Sequence, residues 1–429
     1  MLPTFIPKKT GPALLGGIAL AVFLLLGNAL TAGTLTVDDC VSAAIKANLP
    51  LAALQAQAQA SAWAYRKDRG SLWPALALAD EASYSRFGPE AAFADGPENK
   101  GNAELSLDLQ RWLAPPSRGS QLNMRRNGLL IRQAQSLLKR DVIQAYDKAA
   151  VLLRKAEAQR QAGAYVDSHI RDIERLQGSG LDVALDLLRA KSQRRSLDLA
   201  ANAQEAELLN TLALLRSLSG IDLQASDLKT DVILAEAVPA GPVEAPAVPA
   251  EKLDATVQTR LAALDLETAR LATLGQGRFA APTLRLGIDH SFQAIDPNTP
   301  GDRGYGSLTF DAFDWGQRAN EARQHEAELA SQTKVAQDQL RQLRLTASQL
   351  AVDIQHARQA YAISTAIMQD AQKGMEIAKA YYRQGKVKES DLLSVFADYL
   401  TASDQRDEAL LNALGKQAEW DALWEGAQL

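Results

Sequence analysis

Four short stretches of this chain alternate apolar and polar residues with a period of two. Leu105, Leu107 and Leu109 alternate with Glu104, Ser106, Asp108 and Gln110, and Leu284, Leu286 and Ile288 alternate with Thr283, Arg285, Gly287 and Asp289. Leu76, Leu78, Ala82 and Tyr84 give a weaker third case, and Leu308, Phe310 and Ala312 a fourth. Successive side chains of a strand point to opposite faces, so each stretch predicts a β-strand with one apolar and one polar face. At about ten residues each, they have the length and pattern of transmembrane β-strands. Segments rich in Gly, Pro, Asn and Asp, Gly88 to Gly101 and Asp296 to Gly304, join them in pairs as two hairpins.

Between the strands the period changes to that of a helix. Leu138, Val142, Ala145, Ala149, Leu152 and Ala156 follow a 3-4 spacing, as do Leu340, Leu343, Ala347, Leu350, Ile354, Ala357 and Tyr361. Such a narrow stripe with small residues suits coiled-coil packing against neighbouring helices. Gln317 to about Tyr382 has no proline and only Gly374, while Gly119 to about Leu176 has only Gly128 and Gly163. Some 60 residues of helix at ~1.5 Å each reach ~90–100 Å, far beyond an ordinary globular helix. A coiled-coil rod would explain these runs alone, but not the four alternating stretches.

The whole pattern occurs twice. Trp73-Pro74, an alternating stretch, a long charged helical run, Gly180-Leu181 and Asp186 return about 205 residues later as Ala281-Pro282, another alternating stretch, Gly385-Lys386 and Asp391. Glycine to aspartate is six positions in both copies, and Trp112 and Trp315 mark the same junction. A repeat this long exceeds solenoid periods and predicts two homologous halves. The expected division is 1–33, a leader; 34–225, the first repeat, with its hairpin at about 74–113 and a tip near 178–181; 226–252, a connector; and 253–429, the second repeat, with its hairpin at about 282–314 and a tip near 383–387. The connector contains the Pro/Ala/Val-rich segment Ala235 to Ala250, which reads as extended.

The N-terminus adds a location. Lys8 and Lys9 precede an apolar run from Ala13 to Leu26, and Thr31-Ala32-Gly33 offers small residues for cleavage, the pattern of a secretory signal peptide. The run is short and glycine-broken for a membrane anchor. The single cysteine, Cys40, lacks the preceding small residues of a lipoprotein site and reads as a buried small hydrophobe. A net charge of -5 shows no basic excess for nucleic acid, and 6% aromatic residues with abundant Ala, Leu, Gln and Arg favour long helices over a compact α/β enzyme.

Four strands cannot close a membrane barrel, and an open edge in hydrocarbon leaves backbone groups unpaired at several kcal/mol each. Strands from several copies must complete one barrel, and three copies give twelve, an even number able to enclose water. The expected fold is therefore mainly α with a transmembrane β-barrel, built from duplicated hairpin-plus-long-helix units. Trp73, Trp112 and Trp315 fall at helix–strand junctions, where an aromatic belt at the membrane interface or simple junction packing accounts for them.

On these features the chain resembles the TolC-type outer membrane efflux family. The matching residues are the N-terminal Leu35-Thr36-Val37-Asp38-Asp39-Cys40-Val41-Ser42-Ala43-Ala44-Ile45-Lys46-Ala47-Asn48, the duplicated hairpin and long helix, and Tyr382-Arg383-Gln384-Gly385 followed by Asp391-Leu392-Leu393. The resemblance covers nearly all of the chain beyond the leader. It implies a homotrimer in the outer membrane of a Gram-negative cell, with a helical tunnel through the periplasm. Its partners would be a periplasmic adaptor protein and, through it, an inner-membrane pump or ABC exporter, as in tripartite efflux or type I secretion. Gly178, Gly180 and Leu181 would form one adaptor-docking tip and Gly385 the other; the same glycines also serve as helix C-caps. Asp391 would project into the entrance as one of three acidic groups, with Ser394 at a second ring position where the family has charge. Tyr382 and Asp186 match residues that hold the entrance closed, while the family's arginine position falls on Val387 and its threonine on Leu185; Lys386 and Lys388 are the nearby cations.

No pattern for catalysis or a cofactor is present. His169, His290, His325 and His356 are scattered without metal-ligand spacing, and there is no P-loop, dinucleotide turn or nucleophile elbow. Two other readings compete: a periplasmic coiled-coil adaptor, which would carry one hairpin flanked by soluble β-domains, and a structural coiled-coil protein, which would lack strands.

Overall fold

A computed structural model describes residues 35–85, 96–108, 116–178, 184–228, 248, 250–275, 283–293, 301–309 and 315–425. The expected leader, most of the connector, Trp112, Gly180 and Leu181 lie outside these residues. Helices α1 (Val37–Ala47) and α2 (Leu49–Gly70) lead into strands β1 (Ala75–Ser85) and β2 (Gly96–Asp108), then α3 (Pro116–Gly178) and α4 (Ala184–Ser219). The series recurs as α5 (Ala250–Ala255) and α6 (Val257–Gly275), β3 (Thr283–Gln293) and β4 (Gly301–Thr309), then α7 (Gln317–Arg383) and α8 (Glu389–Glu425). At 63 and 67 residues, α3 and α7 carry the two long helical runs, about 95–100 Å each at 1.5 Å per residue.

The strands form one antiparallel sheet in the order β1-β2-β3-β4. Its register aligns the apolar positions: Leu76 pairs with Leu105, Leu105 with Leu286, and Leu286 with Gly306. One residue away, Ala77, Glu104, Gly287 and Tyr305 make the neighbouring row, which points to the other face. Tyr305 reaches across this second row, and its hydroxyl donates to Glu104 Oε2 at 3.1 Å. Gly287 makes that reach possible, since a Cβ there would lie 2.4 Å from the tyrosine ring. Leu76, Leu78, Leu105, Leu286 and Leu308 are all exposed in the single chain.

The strands run further into the Gly/Pro/Asn segments than composition predicts. Gly96 to Gly101 belongs to β2, and Gly301 to Gly304 to β4. Pro97 is accommodated because it pairs only with Tyr84 of β1, beyond the last β3 partner, where its missing N–H breaks no second ladder.

The helices pack pairwise, α3 with α4 and α7 with α8, and α3 also touches α1, α2, α6 and α8. The predicted stripe on α3 is its core face: Leu138, Val142, Ala145, Ala149 and Leu152 are buried with Cys40, Ala44 and Leu51 of α1 and α2 and Leu212 and Leu215 of α4. Cys40 is fully buried, a small hydrophobe as expected. Thr36 caps α1 reciprocally with Asp39, and Asn48 Oδ1 accepts from Leu51 N at 2.9 Å to start α2. The Tyr146 hydroxyl donates to Leu35 O at 2.7 Å, tying the start of the described chain to α3. On α7 the stripe residues Ala347, Leu350, Ile354 and Ala357 are buried. Farther along, Val151 of α3 packs with Leu410 and Leu414 of α8.

Candidate functional site

Each long helix begins at the sheet, so the α7–α8 turn lies at its far end. The chain reverses over Gln384 to Lys388 in a glycine-capped turn. Lys386 N donates to Tyr381 O at 3.0 Å and Gly385 N to Tyr382 O at 2.9 Å, the paired bonds of a Schellman cap, with Gly385 at φ 68°. The Lys386 ammonium lies 5.7 Å from the centre of the Tyr381 ring, closing the cap on its outer side. In the other pair, Gly178 is the last residue of α3 and has no positive φ, and α4 begins at Ala184.

Asp391 lies in the first turn of α8, exposed, with Ser390 Oγ donating to its Oδ1 at 3.2 Å. Ser394, also exposed, follows three residues on and so shares its face of the helix. Tyr382 is half-buried at the end of α7. Its phenol is pushed well up, by burial first, then by the charge of Glu389 and, farther down, that of Asp186. Asp186 thus acts on Tyr382 through charge. Its ion-pair partner is Arg189 of its own helix, at 3.9 Å.

Behind this turn lies a contact that the sequence does not announce. Glu389, the first residue of α8, and His169 of α3 have side chains only 4% and 5% exposed, and His169 Nε2 meets Glu389 Oε1 directly. Tyr165 lies parallel to the imidazole with centroids 6.3 Å apart, and Tyr382 meets it edge-on at 5.1 Å. Lys379 sits over Tyr165, 4.1 Å from its ring centre, and Phe396 packs beside it. Burial, then the Glu389 charge, pushes the Tyr165 phenol up to about 12, and burial lowers the Lys379 ammonium. These side chains rest on a core of Ala162, Val166, Leu197, Met375, Ala378, Leu392 and Phe396, drawn from all four long helices. His169 and Glu389 are 220 residues apart, so no local spacing could have paired them.

A second buried charged cluster ties α3 to α8 nearer the middle. Asp407, 3% exposed at its side chain, accepts from Arg154 and from Arg406 Nε at 3.0 Å and Nη2 at 2.6 Å. Among the described residues there is no cluster of His, Cys, Asp and Glu able to hold a metal, and no helix long and apolar enough to cross a membrane.

The two junction tryptophans among the described residues, Trp73 and Trp315, are exposed. Trp73 follows α2 directly before β1, and Trp315, at φ 53°, forms with Gly316 the turn into α7.

No protein-family model matches the chain, and no curated protein does. Solved structures do. A structure of CusC, from work on its folding and transmembrane channel formation, superimposes with a TM-score of 0.77 at 16% identity, covering 91% of each chain. The Campylobacter jejuni CmeC outer membrane channel gives 0.77 at 16% identity, over 91% of this chain and 86% of its own. The open state of the Neisseria gonorrhoeae MtrE outer membrane channel gives 0.70 at 16% identity, over 94% of both. At that identity the likeness is one of fold, and it extends over nearly the whole molecule.

Proposed function

We propose that this protein is the outer-membrane channel of a TolC-type tripartite efflux or type I secretion system, a passive exit duct across the periplasm and outer membrane. The observation that carries the reading is the sheet. Four strands of 9 to 13 residues, long enough to span a bilayer, set a row of exposed leucines on one face and Glu104, Arg285 and Tyr305 on the other, and end in two outer strands, β1 and β4, with one neighbour each. Three copies joined edge to edge make a barrel of twelve strands, with the leucines toward lipid and the polar row toward water.

The helices continue the same logic. Leu185, Leu188 and Leu199 on α4 and Ile363, Ile367, Ile377 and Tyr381 on α7 are exposed in the single chain, the surface that neighbouring copies would cover in a helical tunnel. Trp73, Trp112 and Trp315 then sit at the membrane's periplasmic interface. The turn at Gly385 and the segment around Gly178, Gly180 and Leu181 form the periplasmic tips that meet an adaptor, through which an inner-membrane pump or ABC exporter is reached. Asp391, exposed beside the turn, lines the entrance with its two symmetry mates, and Ser394 leaves the next layer uncharged. Tyr382 and Asp186 belong to the closed state of this entrance, and Lys386 contributes to the turn rather than to Asp186.

The test is extraction and reconstitution. Solubility only in detergent, a native mass of three chains and ion conductance in planar bilayers are expected. A monomer that is soluble without detergent and silent in bilayers refutes the reading.

A further inference from the structure

We propose that Gly287 is a slot that seats the Tyr305 ring flat against the inner wall of the barrel, so that the tyrosines of three copies leave the duct's bore clear instead of projecting into it. The inference rests on the channel reading above, in which the row of Glu104, Gly287 and Tyr305 faces the lumen.

The Tyr305 side chain starts on β4 and ends on β2, where its hydroxyl donates to Glu104 Oε2 at 3.1 Å, so the ring crosses the width of β3. It crosses at Gly287, which pairs with Tyr305 on one side and with Glu104 on the other. A Cβ at Gly287 would lie 2.4 Å from the tyrosine Cζ and 2.5 Å from both its Cε1 and its hydroxyl oxygen. The far half of the ring therefore fills the volume of the missing side chain. Gly287 is buried beneath it, whereas the two residues before it on β3, Arg285 and Leu286, are exposed. Arg285, on the same face, brings Nε to 3.9 Å from Glu104 Oε1, so the carboxylate that receives the hydroxyl is approached from its other side as well.

Only glycine permits this seat. β3 is paired along both edges, to β2 and to β4, so its main chain cannot recede from the ring. A side chain at 287 would meet ring atoms far inside contact distance, and the tyrosine would answer by rotating about its own side-chain bonds, away from the wall. On this face, away from the wall is into the lumen. An aromatic ring laid across a strand glycine also covers backbone that the glycine leaves bare, which favours the seated state. Gly304, on the opposite face of β4, has nothing within 4 Å of a Cβ position, so it seats no ring and serves as the control. In a wall made of three chains the seat recurs three times at one level, and passage there depends on the bore.

The test reads access from outside the cell. Ser307 lies on the face of Tyr305, two residues nearer α7, and so deeper in the duct than the ring. Cys40, the native thiol, is fully buried, so Ser307→Cys offers one reactive thiol to reagents added to intact cells. A small maleimide and a polyethylene-glycol maleimide are compared in the Ser307→Cys background, alone and with Gly287→Ala, Gly304→Ala, or Gly287→Ala plus Tyr305→Ala. Gly287→Ala should slow the bulky reagent roughly threefold or more relative to the small one, Gly304→Ala should not, and adding Tyr305→Ala should restore the rate. An unchanged rate in Gly287→Ala, equal slowing in Gly304→Ala, or slowing that persists without the tyrosine overturns the slot and leaves the channel reading standing. If Gly287→Ala does not reach the outer membrane, the variant that also lacks Tyr305 decides: recovered assembly upholds the seat, and failure of both overturns it. A thiol at 307 that neither reagent reaches in the otherwise native chain means that this face does not line a lumen open to the outside, and overturns both.

Discussion

Gly385 and Gly178 give a test with opposite signs. Gly385 holds φ at 68°, and a Cβ added there meets nothing within 4 Å. The cost of Gly385→Ala is therefore almost purely that of a left-handed backbone in an L-residue, about 1–2 kcal/mol. It falls on the bonds that close the turn, Lys386 N to Tyr381 O and Gly385 N to Tyr382 O. Gly178 also has open space around it but ends a helix without a positive φ, so Gly178→Ala should be neutral or stabilising by up to about 1 kcal/mol. Amide hydrogen exchange on the detergent-solubilised protein reads both. The Lys386 amide should exchange roughly tenfold or more faster in Gly385→Ala, since about 1.4 kcal/mol is a factor of ten. Amides at the end of α3 should be unchanged or slower in Gly178→Ala. Exchange at Lys386 within twofold of wild type would show that the turn does not rest on the left-handed conformation. If Gly385 is an adaptor-docking tip, the bulkier Gly385→Val should also reduce export at normal outer-membrane levels.

Three further outcomes follow from particular side chains. Asp391→Asn should lower cation selectivity, read as the reversal potential under a salt gradient, and weaken block by a trivalent cation on the periplasmic side; because Ser394 adds no second acidic layer, most of the entrance effect should vanish with this one change. Asp407→Ala leaves Arg154 and Arg406 facing each other without their anion and should cost about 3–5 kcal/mol, seen as a lower urea midpoint, whereas a loss below about 1 kcal/mol would mean that water compensates the arginines. Burial pushes the Asp147 carboxyl up to about 7 from an ordinary 3.8, so the folded state holds its proton longer than the unfolded chain. Stability should fall as pH rises from about 4 to 7 and level off above, and Asp147→Asn should remove that slope and gain on the order of 2–4 kcal/mol at pH 8.

What was legible in the sequence follows the range over which each force acts. The alternation at Leu105 and Leu107 or Leu284 and Leu286 is local, because a strand with different surroundings on its two faces must change partner at every residue, and it located the strands directly. The stripe of 3-4 spacing on α3 and the long run from Gln317 were legible for the same reason. Extents failed where pairing overrode composition: Gly96 to Gly101 looks like a loop, yet β1 on one side and, from Glu98 onward, β3 on the other satisfy its backbone. The two glycine-to-aspartate intervals, Gly180 to Asp186 and Gly385 to Asp391, are identical in sequence, but a glycine reveals its use only through φ, and that of Gly385 is left-handed. The surroundings of the α7–α8 turn were least legible. Tyr382, Asp186 and Asp391 were singled out through motif positions, whereas His169 was passed over as one of four scattered histidines. Its meaning depends on α3 of one repeat packing against the start of α8 in the other, which brings a carboxylate from 220 residues away into the same buried space. A buried ionisable pair of that kind leaves no periodic trace, because one residue on each helix suffices. The signal that could have raised suspicion is the placement of Glu389 on the apolar side of the first turn of α8, with Leu392 and Phe396 following at helical spacing. A charged residue in line with a buried stripe needs a partner of opposite or shareable charge. Across the packed helices, the residue that meets it is His169.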